Sequence, residues 1–258
     1  MAQSSVPIRK GRVLPVFPIY LTSPHQAAHL LMEGRRLICL VRHGQTDWNQ
    51  IKRLQGRENV PLNGTGRLQS ACTAMIFRRC LTDGGHFGPV CTSPLSRAAD
   101  TAGYITAALS APENTDPALL VPEESSLVVL DSLIERDYGS LSGLTLDERR
   151  VRFPGGEKQA GNVESVPAAA ARMYAAMDDM MEAVREKAII GVTHGGIINA
   201  VFSRLTSGEI GTGKTLTMNC SVSLIAAGIG SPIPLAYNLQ DDGIYEYFRK
   251  MLRAGAEF

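Results

Sequence analysis

The chain has 258 residues, of which 44% are hydrophobic and 20% are charged, an ordinary composition for a globular protein that buries a core. Its formal net charge of +1 argues against nucleic acid as the main partner, because nucleic-acid-binding proteins usually carry a basic surface. The sequence contains no apolar run approaching the ~18 residues that a membrane-spanning helix needs. We therefore expect neither a nucleic acid nor a membrane as partner.

The five cysteines are odd in number and include no C-x-x-C pair. Two of them fall within predicted buried strands. This distribution predicts reduced thiols in a reducing compartment, and neither a disulfide framework nor a zinc site. We therefore expect a cytoplasmic protein without a metal site.

We expect residues 1–36 to form an N-terminal extension and residues 37–258 to form a single domain. The extension has no acidic residue before Glu33, a feature that organelle transit peptides share. We favour an extended arm followed by a short helix over residues 24–33. Organelle targeting by the extension stays open as an alternative.

The first strong signal in chain order is the apolar run of residues 37–41, followed directly by Arg42, His43 and a glycine. Five consecutive apolar residues between charged and turn residues predict a strand that is buried on both faces. In open parallel sheets, ligands bind at the carboxyl ends of the strands. Between positions 42 and 57, four basic residues stand against one acidic residue, which indicates an anionic ligand.

Strand and helix patterns alternate through the middle of the chain, and this alternation predicts an α/β fold. We expect a three-layer α/β/α sandwich with a mostly parallel central sheet. A threonine–glutamate capping box at residues 145–148 predicts the start of a short helix. The other predicted helices cover residues 65–81, 98–109, 166–187 and 196–206, and the predicted strands in this part cover residues 89–92 and 127–130.

A second apolar run, residues 188–193, repeats the first design and ends in His194 and Gly195. Two strands that both end in His-Gly can bring two imidazoles to the same edge of one sheet. Residues 220–227 and 235–239 predict two closing strands, and prolines near the second one favour an edge position. The amphipathic tail of residues 241–258 either packs on the body or covers the site.

Residues 208–215 match the P-loop pattern G-x-x-x-x-G-K-[ST] in full. A phosphate-binding loop of this kind needs a strand before it and a helix after it, so that its amide groups point at the phosphates. Here a predicted helix precedes the segment and a predicted strand follows it. We interpret it as a flexible connection, which leaves a non-catalytic phosphate- or nucleotide-binding protein as a distant alternative.

Four motifs together resemble the histidine phosphatase superfamily, also called the phosphoglycerate mutase-like family. They occur in the family's order, and the resemblance covers residues 37–225. It implies a phosphoglycerate mutase-like fold and a phosphomonoesterase of the histidine acid phosphatase type. The motifs are residues 42–44 (Arg-His-Gly), residues 93–98 with the second arginine, residues 133–139 with an acidic residue, and residues 193–195 with the second histidine.

The resemblance also implies a role for each residue that matches these motifs. His43 attacks phosphorus and forms a phosphohistidine, which divides one difficult step into two. Arg42, Arg97 and the imidazolium form of His194 surround the phosphoryl oxygens. Glu135 protonates the leaving oxygen and then activates water. The candidates for substrate binding are Asn49, Gln55, Gly56, Tyr138 and Gly195.

Two activities within the family compete for this sequence. Residues 133–143 resemble the mutase form of the acidic motif, which favours a phosphoglycerate mutase. Gly196, after the second His-Gly, resembles the phosphatase branch, since mutases tend to place Asn or Ser there. Residues 143–166 also lack the longer basic insertion of the mutases. We therefore expect a phosphatase for a small phosphorylated metabolite.

We expect the phosphatase to work without a cofactor. The mutase alternative would need 2,3-bisphosphoglycerate as a primer, because a mutase must start from a phosphorylated histidine. The identity of the phosphoester is open at this point. A homodimer is also left open as the assembly.

Overall fold

A computed structural model describes residues 17–112 and 114–258 of the chain. Strands and helices alternate along most of this part, as the sequence patterns predict. The strands are β1 (Ile19–Tyr20), β2 (Arg36–Arg42), β3 (Cys91–Thr92), β4 (Val128–Val129), β5 (Ala188–Thr193), β6 (Val222–Ala227) and β7 (Ile233–Leu239). The α-helices are α1 (Pro24–Met32), α2 (Asp47–Gln50), α3 (Gly64–Thr82), α4 (Ser96–Ser110), α5 (Leu146–Arg152), α6 (Val166–Ala183), α7 (Gly195–Leu205) and α8 (Asp242–Arg253).

The strands form one sheet in the order β1-β7-β6-β2-β5-β3-β4. Neighbours from β2 through β4 pair in parallel, whereas β6 is antiparallel to both β2 and β7, and β1 is antiparallel to β7. Thus β1 and β6 run opposite to the other strands. The prediction of a mostly parallel sheet is confirmed, with these two strands as the exceptions.

The sheet is covered on both faces, because alternate residues of its central strand enter two separate cores. Leu37 and Cys39 belong to a core shared with α1, α3, α4 and α8. Ile38 and Leu40 point the other way, into a core shared with α6 and α7. The result is the predicted three-layer α/β/α sandwich. Across the described part of the chain, every helix lacks the combination of length and apolar composition needed to cross a membrane.

The part of the chain before residue 37 already contributes a helix and a strand to the fold. Ser23 and Gln26 form a capping box for α1, which confirms the short helix predicted over residues 24–33. Before it, Ile19 pairs with Tyr237, so β1 covers the outer side of β7. The prediction that residues 235–239 form an edge strand is therefore wrong. Residues 1–16, on which the organelle-targeting alternative largely rests, lie outside the described residues.

Helix α6 ends at Ala183, four residues earlier than predicted. The last carbonyl groups of a helix need partners from outside it. Arg36, at the start of β2, supplies them: its guanidinium donates to the carbonyl oxygen of Met181 at 2.6 Å and also to that of Val184. The chain can then turn and enter β5 within a few residues.

The C-terminal tail packs on the body of the protein. Tyr247, Phe248 and Met251 of α8 are buried against the core that includes α1 and α3. The ring of Phe258 lies 5.5 Å from that of Phe248 and 6.3 Å from that of Phe87. Of the two alternatives for the tail, the structure shows packing on the body.

The P-loop-like segment lacks the structural context of a phosphate loop. Helix α7 precedes residues 208–215, and turns and coil follow them up to β6. The segment closes on itself, since the Gly211 amide donates to Thr215 Oγ1 at 2.9 Å and that hydroxyl lies 3.0 Å from the Tyr237 hydroxyl. The interpretation of this segment as a connection, rather than a nucleotide site, agrees with the structure.

Candidate active site

The two His-Gly segments meet at one edge of the sheet. Strands β2 and β5 are parallel neighbours in register, with Arg42 opposite Thr193. The next residues, His43 and His194, therefore leave the sheet side by side, and their ring centroids lie 5.1 Å apart. The His43 amide donates to the Thr193 carbonyl oxygen at 3.0 Å, which extends the strand pairing into the site.

The hydrogen bonds of His43 define its tautomer. Its Nδ1 lies 2.7 Å from the Gly44 carbonyl oxygen, which can only accept, so Nδ1 carries the proton. Its Nε2 accepts from Arg97 Nε at 3.3 Å and so carries a lone pair. Burial lowers the pKa of His43 well below its usual value, and the charges of Arg97 and Arg42 lower it further. The imidazole is therefore neutral, the form that a nucleophile needs.

The glycine after His43 is required by close packing against α3. A Cβ at Gly44 would meet the Gly66 carbonyl oxygen, and it would lie 2.7 Å from Ser70 Oγ. The Gly44 amide donates to Thr101 Oγ1 of α4 at 3.0 Å. Two helices thus hold the backbone that carries His43.

Arg97 is the most deeply placed cation of the site. It is fully buried at the start of α4, and its guanidinium donates to the carbonyl oxygens of Glu58 at 2.6 Å and Gly56 at 2.9 Å. Burial lowers its pKa to about 10, with Glu135 acting in the opposite direction. The guanidinium therefore stays charged at neutral pH, and its position is fixed.

Arg42 provides a second cation at the end of β2. One terminal nitrogen donates to the Thr217 carbonyl oxygen. Its Nε is buried and has no hydrogen-bond partner within residues 17–112 and 114–258. Burial lowers the pKa of Arg42, and the nearby carboxylate of Glu135 opposes this effect. Its unused N–H group is available to an anion.

His194 is held by Ser93, a residue that the sequence analysis placed in a motif without a role. The imidazole Nε2 lies 2.7 Å from Ser93 Oγ, which itself accepts from the Leu95 amide at 3.3 Å. Its Nδ1 is buried and makes no hydrogen bond to any residue that the structure describes. This nitrogen therefore keeps its hydrogen-bonding capacity unused behind the site.

The protonation state of His194 differs from the imidazolium form that the sequence analysis assigned. Burial lowers its pKa well below the usual histidine value, and the charges of Arg97, His43 and Arg42 add to this effect. The surroundings of His194 therefore favour the neutral ring. Because an opposite charge nearby favours the charged form, a phosphate dianion would shift His194 back toward imidazolium.

Glu135 lies against the N-terminus of α7, where backbone N–H groups and the helix dipole favour a carboxyl group. Its Oε1 accepts from the amides of Arg136 at 2.7 Å and Ile197 at 2.9 Å, and its Oε2 accepts from the Gly196 amide at 3.0 Å. Each carboxylate oxygen has two lone pairs. Oε2 therefore keeps one lone pair that can carry a proton.

Two of the binding candidates have donor protons that bind no acceptor among the residues that the structure describes. Asn49 Oδ1 accepts from the Thr46 amide at 3.2 Å and from Asn219 Nδ2 at 3.3 Å, which leaves the Asn49 amide nitrogen for another partner. Burial raises the pKa of Tyr138, and the charge of Glu135 raises it further. Tyr138 is therefore a neutral phenol with a proton to donate.

These groups line a single pocket of about 230 Å³. His194 is fully buried behind its wall, at ring-contact distance from His43. The other nine predicted site residues line the pocket: Arg42, His43, Asn49, Gln55, Gly56, Arg97, Glu135, Tyr138 and Gly195.

The sequence analysis missed six residues that also line the pocket. Arg53 and Leu54 directly precede Gln55, so their neighbourhood was a usable signal. Gly196 was noted for its family pattern and not as a site residue. The remaining three come from α7 and the connection after it, and no sequence pattern marks them: Asn199, Leu216 and Thr217.

The chain is similar in sequence to known phosphatases and phosphoglycerate mutases. A 31% identical relative, over 73% of this chain and 86% of its own length, is named an uncharacterized phosphatase, PhoE, of Bacillus subtilis. A metal-independent phosphoserine phosphatase of Arabidopsis thaliana is 30% identical over 73% of this chain and 75% of its own length. Phosphoglycerate mutases of bacteria match at 28–29% identity.

Among solved structures, a mycobacterial glucosyl-3-phosphoglycerate phosphatase superposes with a TM-score of 0.63. It covers 79% of this chain and 98% of its own, at 22% identity, and so shows a shared fold. The fold and the paired histidines define a phosphoryl-transfer enzyme of the phosphoglycerate mutase-like class. The sequence model of the histidine phosphatase superfamily (branch 1) matches residues 38–240, and the chain belongs to that family.

Proposed function

We propose that this protein is a phosphomonoesterase that hydrolyses a small anionic metabolite through a phosphohistidine on His43. One observation carries the proposal: Nδ1 of His43 is bound to a carbonyl oxygen, so its Nε2 lone pair faces the guanidinium of Arg97. A phosphoryl group bound to that cation would place phosphorus beside the lone pair. We assign this activity to residues 37–258 as one catalytic domain, and we place the protein in the cytoplasm.

In the first step, His43 Nε2 forms a bond to phosphorus while the bond from phosphorus to the ester oxygen breaks. Arg42, Arg97 and His194 donate to the phosphoryl oxygens. Donors of this kind, aimed at the transition state, are each worth about 3 kcal/mol. The dianionic phosphate beside Glu135 favours the protonated form of this carboxylate, and Glu135 then gives the proton on Oε2 to the leaving oxygen, so the alcohol departs neutral.

In the second step, the ionised Glu135 takes a proton from water, and the oxygen of that water attacks phosphorus. The bond between phosphorus and His43 Nε2 breaks, and inorganic phosphate leaves. His43 returns to its neutral form and Glu135 to its protonated form, so the cycle closes with one ester bond and one water consumed.

The surroundings of Gly196 support a phosphatase. A Cβ at this position would lie 2.7 Å from Glu135 Oε1 and would also overlap the Tyr138 hydroxyl. The Asn or Ser that resembling mutases tend to place here therefore does not fit this arrangement. A phosphoglycerate mutase remains the second candidate, because mutases match this chain and residues 133–143 resemble their acidic motif. That activity would depend on 2,3-bisphosphoglycerate as a primer.

We further propose that hydrolysis needs no metal ion. Arg42 and Arg97 already supply two fixed positive charges, and His194 supplies an N–H donor, for the oxygens that a metal would otherwise neutralise. The Arabidopsis thaliana relative is named as metal-independent, in agreement with this view. Small phosphorylated metabolites are the expected partners of the pocket.

The test is rapid-quench labelling with a radioactive phosphomonoester in the presence of a chelator. We expect a label on His43 that is lost in acid and stable in base, as a phosphoramidate is. His43→Ala should abolish the label, whereas His194→Ala should slow both its formation and its loss, by about 2–4 kcal/mol. Label on His194 or on a serine, or activity that disappears with the chelator and returns with a divalent ion, would overturn the proposal.

A further inference from the structure

Asn199 lies farther along the helix that begins at the site. It is four residues after Gly195 on α7, and residues at that spacing share one face of a helix. The helical rise places it about 6 Å beyond Gly195 along the helix axis. Both residues line the pocket, so the pocket extends along this face, past the carboxyl group of Glu135. Asn199 is thus on the side that the alcohol portion of a substrate would occupy.

Hydrogen bonds fix the orientation of the Asn199 side chain. The Tyr237 hydroxyl donates to Asn199 Oδ1 at 2.6 Å, and the Thr217 hydroxyl donates to the same oxygen at 2.8 Å. Thr215 Oγ1 donates to the Tyr237 oxygen at 3.0 Å, which directs the proton of Tyr237 toward Asn199. The amide oxygen is therefore fully used.

The amide nitrogen of Asn199 is the part of the side chain that remains available. Within the described residues, this nitrogen makes no hydrogen bond. It is also not fully buried. Because Asn199 lines the pocket, a ligand bound there can reach this nitrogen. Leu216 is apolar, and the Thr217 hydroxyl is already engaged, so Asn199 supplies the free side-chain donor on this wall.

We propose that Asn199 is a specificity-determining residue that donates a hydrogen bond from its amide nitrogen to an oxygen on the alcohol portion of the substrate. The class of substrate that it selects is a phosphomonoester of an oxygen-bearing alcohol, such as a polyol or a hydroxy acid, over a plain alkyl phosphate. A donor that is held in place favours substrates with a matching acceptor, because the other substrates leave it unpaired. This inference rests on the proposed hydrolytic function.

The experiment compares kcat/KM for three-carbon substrates that differ in oxygen content: glycerol 1-phosphate and 3-phosphoglycerate, each against propyl phosphate. The key variant is Asn199→Asp, because a carboxylate still accepts from Tyr237 and Thr217 but has no proton to donate. Its negative charge weakens the binding of every phosphate and repels the carboxylate of 3-phosphoglycerate in addition. The deciding quantity for this variant is therefore the ratio of glycerol 1-phosphate to propyl phosphate, which carry the same charge. Asn199→Leu, which has a similar size and no proton to donate, serves as a second variant if the first does not fold.

We expect the wild-type protein to prefer at least one oxygenated substrate by about tenfold or more, and this preference to fall to within about twofold in the Asn199 variants. Lys214→Ala, a change in the same connection that does not line the pocket, should keep the wild-type ratio. A wild-type protein without a preference, or a ratio unchanged in Asn199→Asp, would overturn the inference while propyl phosphate turnover still supported hydrolysis. Absence of turnover on all three substrates would instead count against the proposed function.

Discussion

At Gly196 the backbone lies close to two polar side chains of the site. Its amide donates to Glu135 Oε2 at 3.0 Å, and the Tyr138 hydroxyl faces its α-carbon. A side chain at this position would displace the carboxyl group of Glu135 from its place against the N-terminus of α7. At the scale of single residues, the site therefore depends on an absent side chain as much as on the charged ones.

We expect Gly196→Ala to lower kcat/KM for para-nitrophenyl phosphate by about 100-fold, because an acid displaced by about 1 Å loses its alignment with the leaving oxygen. The matched control is Gly64→Ala, at the start of α3, where an added Cβ meets nothing within 4 Å. Alanine usually favours a helix over glycine by about 1 kcal/mol, so a loss of helix stability would not explain the result. Equal activity of the two variants would show that Glu135 can move without cost.

Helix α7 and the connection after it act together as one wall of the site. The N-terminus of the helix holds Glu135, its second turn carries Asn199, and the connection returns Leu216 and Thr217 to the same pocket. The connection is shaped by Gly211, which has a φ of 102° and lies against the backbone of α7. The two glycines of the P-loop pattern, Gly208 and Gly213, also have positive φ values, 84° and 75°, so the resemblance reflects turns that favour glycine.

At this scale, Lys214→Ala should keep near-normal turnover of para-nitrophenyl phosphate, because the segment has neither the strand before it nor the helix after it that phosphate binding requires. Gly211→Ala is the informative comparison, since a Cβ there would meet the Asn199 carbonyl oxygen and disturb the pocket wall. We expect it to reduce turnover clearly. A loss of about 100-fold in Lys214→Ala, measured as kcat/KM, would mean that the lysine takes part in the reaction.

At the scale of the whole molecule, two buried neutral histidines connect the site to the stability of the fold. Burial and the charge of Arg97 lower the pKa values of both His43 and His194 well below the value of about 6.5 that they have in an unfolded chain. Between the folded and unfolded pKa values, the unfolded state binds more protons. The two histidines therefore leave the free energy of unfolding at its full value above about pH 6.5, and this free energy decreases as the pH falls below about 6.5.

We expect the free energy of unfolding to fall by about 1.4 kcal/mol per histidine between about pH 7.5 and about pH 5.5, as measured by urea denaturation. In His43→Gln this pH dependence should be weaker by roughly that amount, whatever the overall stability of the variant. An unchanged pH dependence in the variant would show that His43 is not held neutral by the fold. Added inorganic phosphate should raise the stability of the wild-type protein at each pH, because it binds only the folded state.

Much of this architecture could be predicted from local patterns. The apolar runs before His43 and His194 are long enough to be read as buried strands, and the segment predicted over residues 65–81 forms α3 with nearly the same bounds. The ordered motifs and the loop after the first of them contain the ten predicted site residues, nine of which line one pocket and one of which contacts it from behind. These features depend on neighbours in sequence, which is why the sequence by itself determined them.

The tertiary structure alone decided the features that depend on distant segments. Strand β7, which was predicted to lie at the edge, pairs with β1 from the other end of the chain. Helix α6 ends where Arg36 donates hydrogen bonds to carbonyl oxygens of its last turn. The oxygen of Asn199 is occupied by Tyr237 and Thr217, which come from segments distant in the sequence. The neutral state of the two histidines results from burial beside Arg97, since dielectric environment and charge act through space and leave no pattern along the chain.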